Sequence, residues 1–180
     1  MDGQLRFAFY YLSFRYPAKP MKDFVIVNSR EELDPESQHL VLKAEEVLHY
    51  AYAPYSKFSV GVALLLDNGV IVPGTNQENA AYPAGMCAER VALFAAASQY
   101  PGASIKKLAV VARGENNQKL SPVTCCGSCR QVMLEFEQRQ DRTFEVIMQN
   151  QDYKWVKAAS AESLLPFSFK KASMDIVHGP

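Results

Sequence analysis

The run from Leu108 to Ala112 is apolar without interruption. A strand with one solvated face alternates apolar and polar residues, whereas a strand covered on both faces is apolar throughout. The run therefore predicts a central strand with helices packed on both of its sides. A chain of 180 residues with 48% apolar content has enough apolar side chains to build that core.

The segments around this run predict the other elements of the fold. Asp34 followed by Pro35 is typical of a helix start, and apolar residues at helical spacing predict a helix over 35–52. Alternation from Phe58 to Leu66 before an Asp-Asn-Gly turn predicts a hairpin whose second strand covers 70–72. Further predictions are a buried, alanine-rich helix over 86–99, a helix over 127–138, strands over 144–148 and 153–156, and a short helix over 161–165. We therefore predict an α/β fold, a three-layer α/β/α sandwich with a mixed sheet of about five strands.

The charge and hydropathy of the chain argue against two classes of function. It has 19 basic and 19 acidic residues, so it lacks the positive excess that is typical of nucleic-acid-binding domains. No window approaches the length of apolar sequence that a membrane span needs, and no secretory leader pattern is present. We expect a cytoplasmic protein that binds neither a nucleic-acid polymer nor a membrane.

The first twenty residues differ from the rest of the chain. They contain six aromatic residues with no clear period and end at Pro20. Two interpretations stay open. Either Met21 is the functional start and 1–20 is dispensable, or the segment docks on a partner subunit.

Three of the four cysteines lie within five residues, at Cys125, Cys126 and Cys129. This crowding is a poor disulfide framework, but a C-x-x-C pair with Cys87 as a third ligand suits zinc. Each group lies at a predicted helix N-terminus, where free amides and the helix dipole favour thiolates. Three protein ligands are typical of a catalytic zinc site, and Cys125 should point elsewhere. The alternative is a redox pair, with Cys87 as a small buried residue.

Glu89 and Arg90 follow Cys87 directly in the predicted buried helix. A buried carboxylate is costly unless it has a proton or a partner, and beside a metal-activated water Glu89 could move protons as the catalytic residue. Three thiolates leave a zinc site with a net charge of −1, which a guanidinium at Arg90 would offset. The alternatives are an ion pair for Glu89 and a plain surface position for Arg90.

Five segments resemble the cytidine deaminase family, in particular its small homotetrameric class. They are A-P-Y-S-K-F-S-V-G at 53–61, N-Q-E-N-A-A-Y-P at 76–83, C-A-E-R at 87–90, C-G-S-C-R-Q-V at 126–132 and L-L-P-F-S-F at 164–169. The similarity runs in order over 36–169. We therefore predict an N-terminal extension over 1–35, partly dispensable, a deaminase domain over 36–169 and a C-terminal tail over 170–180.

The resemblance implies zinc-dependent hydrolytic deamination of cytidine and deoxycytidine in pyrimidine salvage, with release of ammonia. It implies a homotetramer with one Zn²⁺ per subunit, bound by Cys87, Cys126 and Cys129, and Glu89 as the proton shuttle. The implied substrate contacts are Phe58 on the pyrimidine ring, Asn76 and Glu78 on the ribose, Ala88, and Phe169 in a neighbouring subunit's site. Turn formation by the polar pair and core packing by the aromatic residues are the alternatives.

Cys125 is a departure from the family pattern, which has proline directly before the second cysteine ligand. Proline fixes φ and lacks an amide proton, so its loss should loosen this turn and free one donor. We expect a passive substitution, so that Cys125→Ser keeps zinc. Three other functions stay open: deamination of another cytosine nucleoside such as blasticidin S, editing of a polynucleotide, and a zinc-stabilised module without catalysis.

Overall fold

The computed structural model describes residues 22–175, so the aromatic segment 1–20 and Met21 lie outside the described residues. None of the helices in this range is long and apolar enough to cross a bilayer. The strands are β1 Phe24–Val27, β2 Phe58–Leu66, β3 Ile71–Thr75, β4 Ile105–Gly114, β5 Glu145–Gln149 and β6 Trp155–Ala158. The helices are α1 Pro35–Glu46, α2 Ala88–Gln99, α3 Gly127–Gln140 and the short α4 Ala172–Asp175.

The six strands form one mixed sheet in the order β1-β6-β5-β4-β2-β3. The β4–β5 pair is parallel and the other neighbours are antiparallel. Helix α1 packs on one face, and α2 and α3 pack on the other. The predicted three-layer α/β/α sandwich is therefore confirmed.

Strand β4 carries the apolar run that predicted this architecture. Leu108 and Val110 are buried in the core beneath α2 and α3, whereas Ala109 and Val111 are buried in the core beneath α1. Successive side chains point to opposite faces of a sheet, so an unbroken apolar run fills both cores at once.

Two element predictions need correction. The sheet has six strands rather than about five, because Phe24–Val27 pairs with β6 at the edge and lies before residue 36. Its two middle residues are exposed, so this edge strand has no alternating pattern. The first helix ends at Glu46 rather than near residue 52, and a single 3-10 turn, Leu48–Tyr50, follows it.

Gly74 of β3 sets the distance between the sheet and α2. A Cβ atom at this position would clash with the carbonyl oxygen of Ala88 and would lie 2.7 Å from the backbone nitrogen of Ala92. Backbone atoms of a helix cannot move aside without moving the helix. Any larger residue at Gly74 therefore displaces the first turn of α2.

We expect Gly74→Ala to lower the free energy of unfolding by about 1–3 kcal/mol and to reduce bound zinc, because α2 must shift. Urea unfolding and metal analysis measure the two effects. Gly69→Ala is the matched control: Gly69 has φ +83° with nothing near its Cβ position. That change should cost about 1 kcal/mol through backbone strain and leave the zinc content unchanged. Equal zinc loss in both variants would contradict the prediction.

Asp34 caps α1 as predicted and also joins that helix to the sheet. Its carboxylate accepts from the backbone nitrogen of Ser37 at 3.0 Å and from Lys107 Nζ at 2.9 Å. Lys157 Nζ lies 3.1 Å from the other carboxylate oxygen, and both lysines also contact Glu145. Burial raises the pKa of Asp34, but the hydrogen bonds from Ser37 and Lys107 outweigh it and hold the pKa well below its usual range.

The lowered pKa of Asp34 makes its contribution to stability dependent on pH. The contribution is complete above the pKa that Asp34 has in the unfolded chain, about 4. It declines as the pH falls toward the pKa that Asp34 has in the folded protein. We expect Asp34→Ala to cost about 1 kcal/mol of unfolding free energy at neutral pH, with a smaller cost at strongly acid pH. Urea unfolding at both pH values measures this, with the exposed Asp152→Ala as control. A cost that stays constant with pH would contradict it.

Candidate metal centre

The N-termini of α2 and α3 meet at one end of the sheet and bring three cysteines together. Cys87 and Cys126 are the N-cap residues of the two helices, and Cys129 lies in the first turn of α3. The three Sγ atoms all lie within 4.8 Å of one another, and those of Cys87 and Cys126 are 3.9 Å apart. Tetrahedral zinc with Zn–S bonds of about 2.3 Å places two ligand sulfurs about 3.8 Å apart. The predicted cysteines could therefore hold one zinc ion.

Hydrogen bonds around this cluster favour the thiolate form of Cys87, and the hydrogen bond that Cys129 gives to Cys87 raises the pKa of Cys129. The backbone nitrogen of Cys129 donates to Cys126 Sγ at 3.5 Å, as expected of an N-cap. A hydrogen bond from the Cys129 thiol lowers the pKa of Cys87, and so does Arg90, whose Nη2 lies 3.6 Å from Cys87 Sγ. Arg90 therefore points at the cluster rather than occupying a plain surface position.

Glu89 is the second residue of α2 and is only 5% exposed. Burial raises its pKa, and negative charge on Cys87 raises it further, while hydrogen bonds from Cys125 and Cys129 oppose the shift. The side chains that perturb this carboxylate are cysteines, so the described residues do not show the ion pair that was the alternative. A buried carboxyl with a raised pKa can both accept and give a proton near neutral pH.

Cys125 is buried, and as predicted its thiol lies outside the three-sulfur cluster. Burial raises the pKa of Cys125 well above its usual range, so it stays a neutral thiol. It contacts the Glu89 carboxylate, which sequence reasoning did not foresee. The substitution at this position therefore places a thiol beside the candidate catalytic group.

An open cavity of about 720 Å³ lies in front of the cluster. Cys87, Cys126, Glu89 and Arg90 line it, whereas Cys129 is fully buried behind them. A metal held by the three sulfurs would therefore be closed from behind and open toward the cavity, as a catalytic zinc site requires.

Four of the five predicted substrate-binding residues line this same cavity, and one does not. Phe169 is 62% exposed and lies away from its own chain's cavity, with its carbonyl oxygen accepting from Gln131 Nε2 at 2.8 Å. The four that line the cavity are Phe58, Asn76, Glu78 and Ala88.

Asn76 and Glu78 also hold the wall of the cavity in place. Asn76 accepts from the backbone nitrogen of Val60 at 2.8 Å and donates to the carbonyl oxygen of Phe58 at 3.0 Å. Glu78 Oε2 accepts from the backbone nitrogens of Tyr55 and Ser56 at 3.0 and 3.2 Å, and the pKa of Glu78 is lowered, chiefly by Ser56. Each side chain keeps further hydrogen-bonding capacity for a ligand.

Two tyrosines in the cavity wall were not predicted as site residues from the sequence. The rings of Tyr55 and Tyr82 are 6.0 Å apart at 65° and both line the cavity. They lie in two of the segments that resemble the deaminase family, which is the signal that could have identified them.

Comparisons with known proteins agree with this geometry. The family model described as the cytidine and deoxycytidylate deaminase zinc-binding region matches residues 35–143. A cytidine deaminase from Halalkalibacterium halodurans is 36% identical over 140 residues, which are 78% of this chain and 98% of that protein. One from Sporosarcina psychrophila is 48% identical over 99 residues, which are 55% of this chain and 68% of that protein.

Solved structures show the same relationship. The crystal structure of cytidine deaminase from Burkholderia pseudomallei is similar with a TM-score of 0.60 and 42% identity, over 73% of this chain and 97% of that chain. That of cytidine deaminase from Mycobacterium tuberculosis has a TM-score of 0.57 and 30% identity, over 77% of this chain and 99% of that one. The chain therefore belongs to the cytidine and deoxycytidylate deaminase family of zinc-binding proteins.

Proposed function

We propose that this protein is a zinc-dependent deaminase that hydrolyses cytidine and deoxycytidine to uridine and deoxyuridine with release of ammonia. One observation carries the proposal. A buried carboxyl group, Glu89, lines the same cavity as the cysteine cluster. The polar side chains of Asn76 and Glu78, which suit ribose hydroxyls, lie on the wall of that cavity. A zinc-stabilised module without catalysis would have no use for a buried acid facing an open cavity.

The reaction follows from the placement of Glu89. Zinc, bound by Cys87, Cys126 and Cys129, would supply the Lewis acid that activates water for attack on C4 of the cytosine ring. Glu89 takes one proton of the attacking water and gives it to ring N3. It then takes the remaining proton from the hydroxyl group now on C4 and passes it to the amino group, which leaves as ammonia as the C4–N bond breaks. Phe58 packs on the ring and Ala88 contacts the base, which keeps C4 in front of the cluster.

Arg90 fits the role of charge compensation. A zinc ion with three thiolates has a net charge of −1, and removing a proton from its water makes the site more negative. The guanidinium group donates to Cys87 Sγ at 3.6 Å and withdraws part of that charge. We assign one zinc ion to each subunit, because residues 22–175 hold one such cysteine cluster.

The charges of the cavity favour a nucleoside over a nucleotide. Its charged lining residues are Glu78, Glu89 and Arg90, and the one cation among them is directed at Cys87. Among the described residues, a 5′-phosphate entering this cavity would meet two carboxylates, and the cation that lines it, Arg90, already donates to Cys87. The zero net charge of the chain likewise disfavours a polynucleotide.

We also propose a homotetramer that acts in cytoplasmic pyrimidine salvage. Support for the assembly comes from Phe167 and Phe169, which are 97% and 62% exposed on a segment that lies away from its own cavity. Exposed aromatic side chains of this size are typical of subunit contacts. Light scattering tests the assembly, and Phe169→Ala should raise KM if this ring enters a neighbouring cavity.

The direct test of the activity is ammonia release from cytidine, deoxycytidine and cytosine, with and without a zinc chelator. We expect turnover of both nucleosides and its loss on chelation. Bound zinc without ammonia release from any of the three would overturn the proposal.

Glu89→Gln should keep the full zinc content and lose about 10²–10⁴-fold in kcat, because the amide cannot shuttle a proton. Metal analysis and the absorbance change of cytidine deamination measure the two quantities. Glu135→Gln, an exposed change on α3, is the matched control and should retain wild-type turnover. Activity of Glu89→Gln within tenfold of wild type would show that another group moves the proton.

Glu78→Gln should raise KM for cytidine by about tenfold or more with little change in kcat, because it weakens a hydrogen bond made equally in ground and transition states. The glutamine oxygen can still accept from Tyr55 and Ser56, so the loop keeps its place. 2′,3′-Dideoxycytidine lacks the 2′ and 3′ hydroxyls that Glu78 would bind, so the variant should match wild type on that substrate. An equal rise in KM for both nucleosides would indicate that Glu78 only holds the loop.

A further inference from the structure

Arg130 lies where a helix disfavours a cation. It is the fourth residue of α3, close to the positive end of the helix dipole. Its side chain turns back past the helix start, so that Nε donates to the carbonyl oxygen of Cys125 at 2.8 Å and Nη1 donates to that of Leu164 at 3.1 Å. The guanidinium group therefore bridges the turn before Cys126 and the C-terminal part of the described chain.

The C-terminal anchor of this bridge is itself fixed on α3. Glu137 is buried and accepts from the backbone nitrogens of Ala161 and Glu162 at 2.8 and 3.1 Å. Farther along, Gln131 Nε2 donates to the carbonyl oxygen of Phe169. Segment 161–169 is thus held at both ends, and Leu164 between them is buried. Arg130 therefore links the Cys125 carbonyl oxygen to a segment that is itself fixed on α3.

The turn at Cys125 has little else to hold its backbone. Zinc deaminases have proline at this position, which restricts φ. Within residues 22–175 the Cys125 amide donates no hydrogen bond, and the carbonyl bond to Arg130 is the one that its backbone makes. A proline would therefore remove no hydrogen bond here, and its absence leaves the turn dependent on the arginine.

We propose that Arg130 is a positioning residue that fixes the Cys125 turn and so presents Cys126 and Cys129 at the right distance from Cys87. The proposal rests on the zinc-ligand roles given under the proposed function. It assigns Arg130 no contact with substrate. Residues around metal ligands commonly alter metal affinity 10–100-fold when changed.

The test is a double-mutant cycle read out by zinc release from the holoenzyme to a chromogenic chelator. The four proteins are wild type, Arg130→Met, Cys125→Pro and the double variant. Arg130→Met alone should speed release about tenfold, because the turn becomes loose. In the proline background the same change should have little effect, because the ring now restrains the turn. An equal effect in both backgrounds would overturn the proposal.

Matched variants separate this role from general destabilisation. Cys125→Ala removes the thiol without adding a ring, and it should not rescue Arg130→Met. Arg139→Met removes an arginine from the same helix, where its Cζ lies 4.7 Å from the Phe136 ring, far from the turn. It should leave zinc release unchanged, and both arginine variants are compared by the melting temperature of the metal-free protein. Faster release in Arg139→Met would overturn a specific role of Arg130.

Cys125→Gly covers the case in which the proline variant does not fold. Glycine loosens the same turn, so Arg130→Met should speed release more in the glycine background than in wild type. If Arg130→Met speeds zinc release by the same factor in the glycine background as in wild type, the proposal is contradicted. Wild-type protein without bound zinc would overturn the proposed function as well. If wild type holds zinc but the Arg130 and Cys125 changes have additive effects on zinc release, this inference alone is overturned.

Discussion

The site depends on one constraint, the meeting of two helix N-termini at the same end of the sheet. Each N-terminus has unpaired amides and a partial positive charge, so both favour an anion at the same point. The cap positions of α2 and α3 are cysteines, so two sulfur ligands lie where both helices favour an anion. Gly74 makes the approach of α2 to the sheet possible, and the alanines of α2 let that helix lie close to the core.

The same first turn of α2 separates two opposite charges. Arg90 reaches the cluster from the cavity side and donates to Cys87. Glu89 is buried, and the negative charge of Cys87 acts on its carboxylate. Arg90 therefore stabilises the Cys87 thiolate, whereas burial and then the negative charge of Cys87 raise the pKa of Glu89. Adjacent residues on a helix point in directions about 100° apart, which is why two neighbours can face such different surroundings. The residues proposed for metal binding and for proton transfer thus share one helical turn.

Much of this could be predicted from the sequence, where residue type alone carries the signal. The Leu108–Ala112 run predicted a strand between two cores, Asp34 predicted the start of α1, and the cysteine spacing predicted the cluster. Strand β1 was missed because an edge strand with two exposed middle residues lacks alternation. The contact of Cys125 with Glu89, and the bonds of Asn76 to the β2 backbone, depend on long-range approach and have no pattern in the sequence.

Those bonds of Asn76 and Glu78 have a consequence for binding. A flexible polar side chain loses rotamer entropy when it grips a ligand, and that loss weakens affinity. Here both side chains are already held by backbone groups of the cavity wall, through Val60 and Phe58 for one and Tyr55 and Ser56 for the other. The entropy of fixing them was lost on folding, so a ligand in the cavity would meet acceptors and donors that are in place beforehand. The side chains that hold the wall of the cavity are therefore also the ones proposed to bind the sugar.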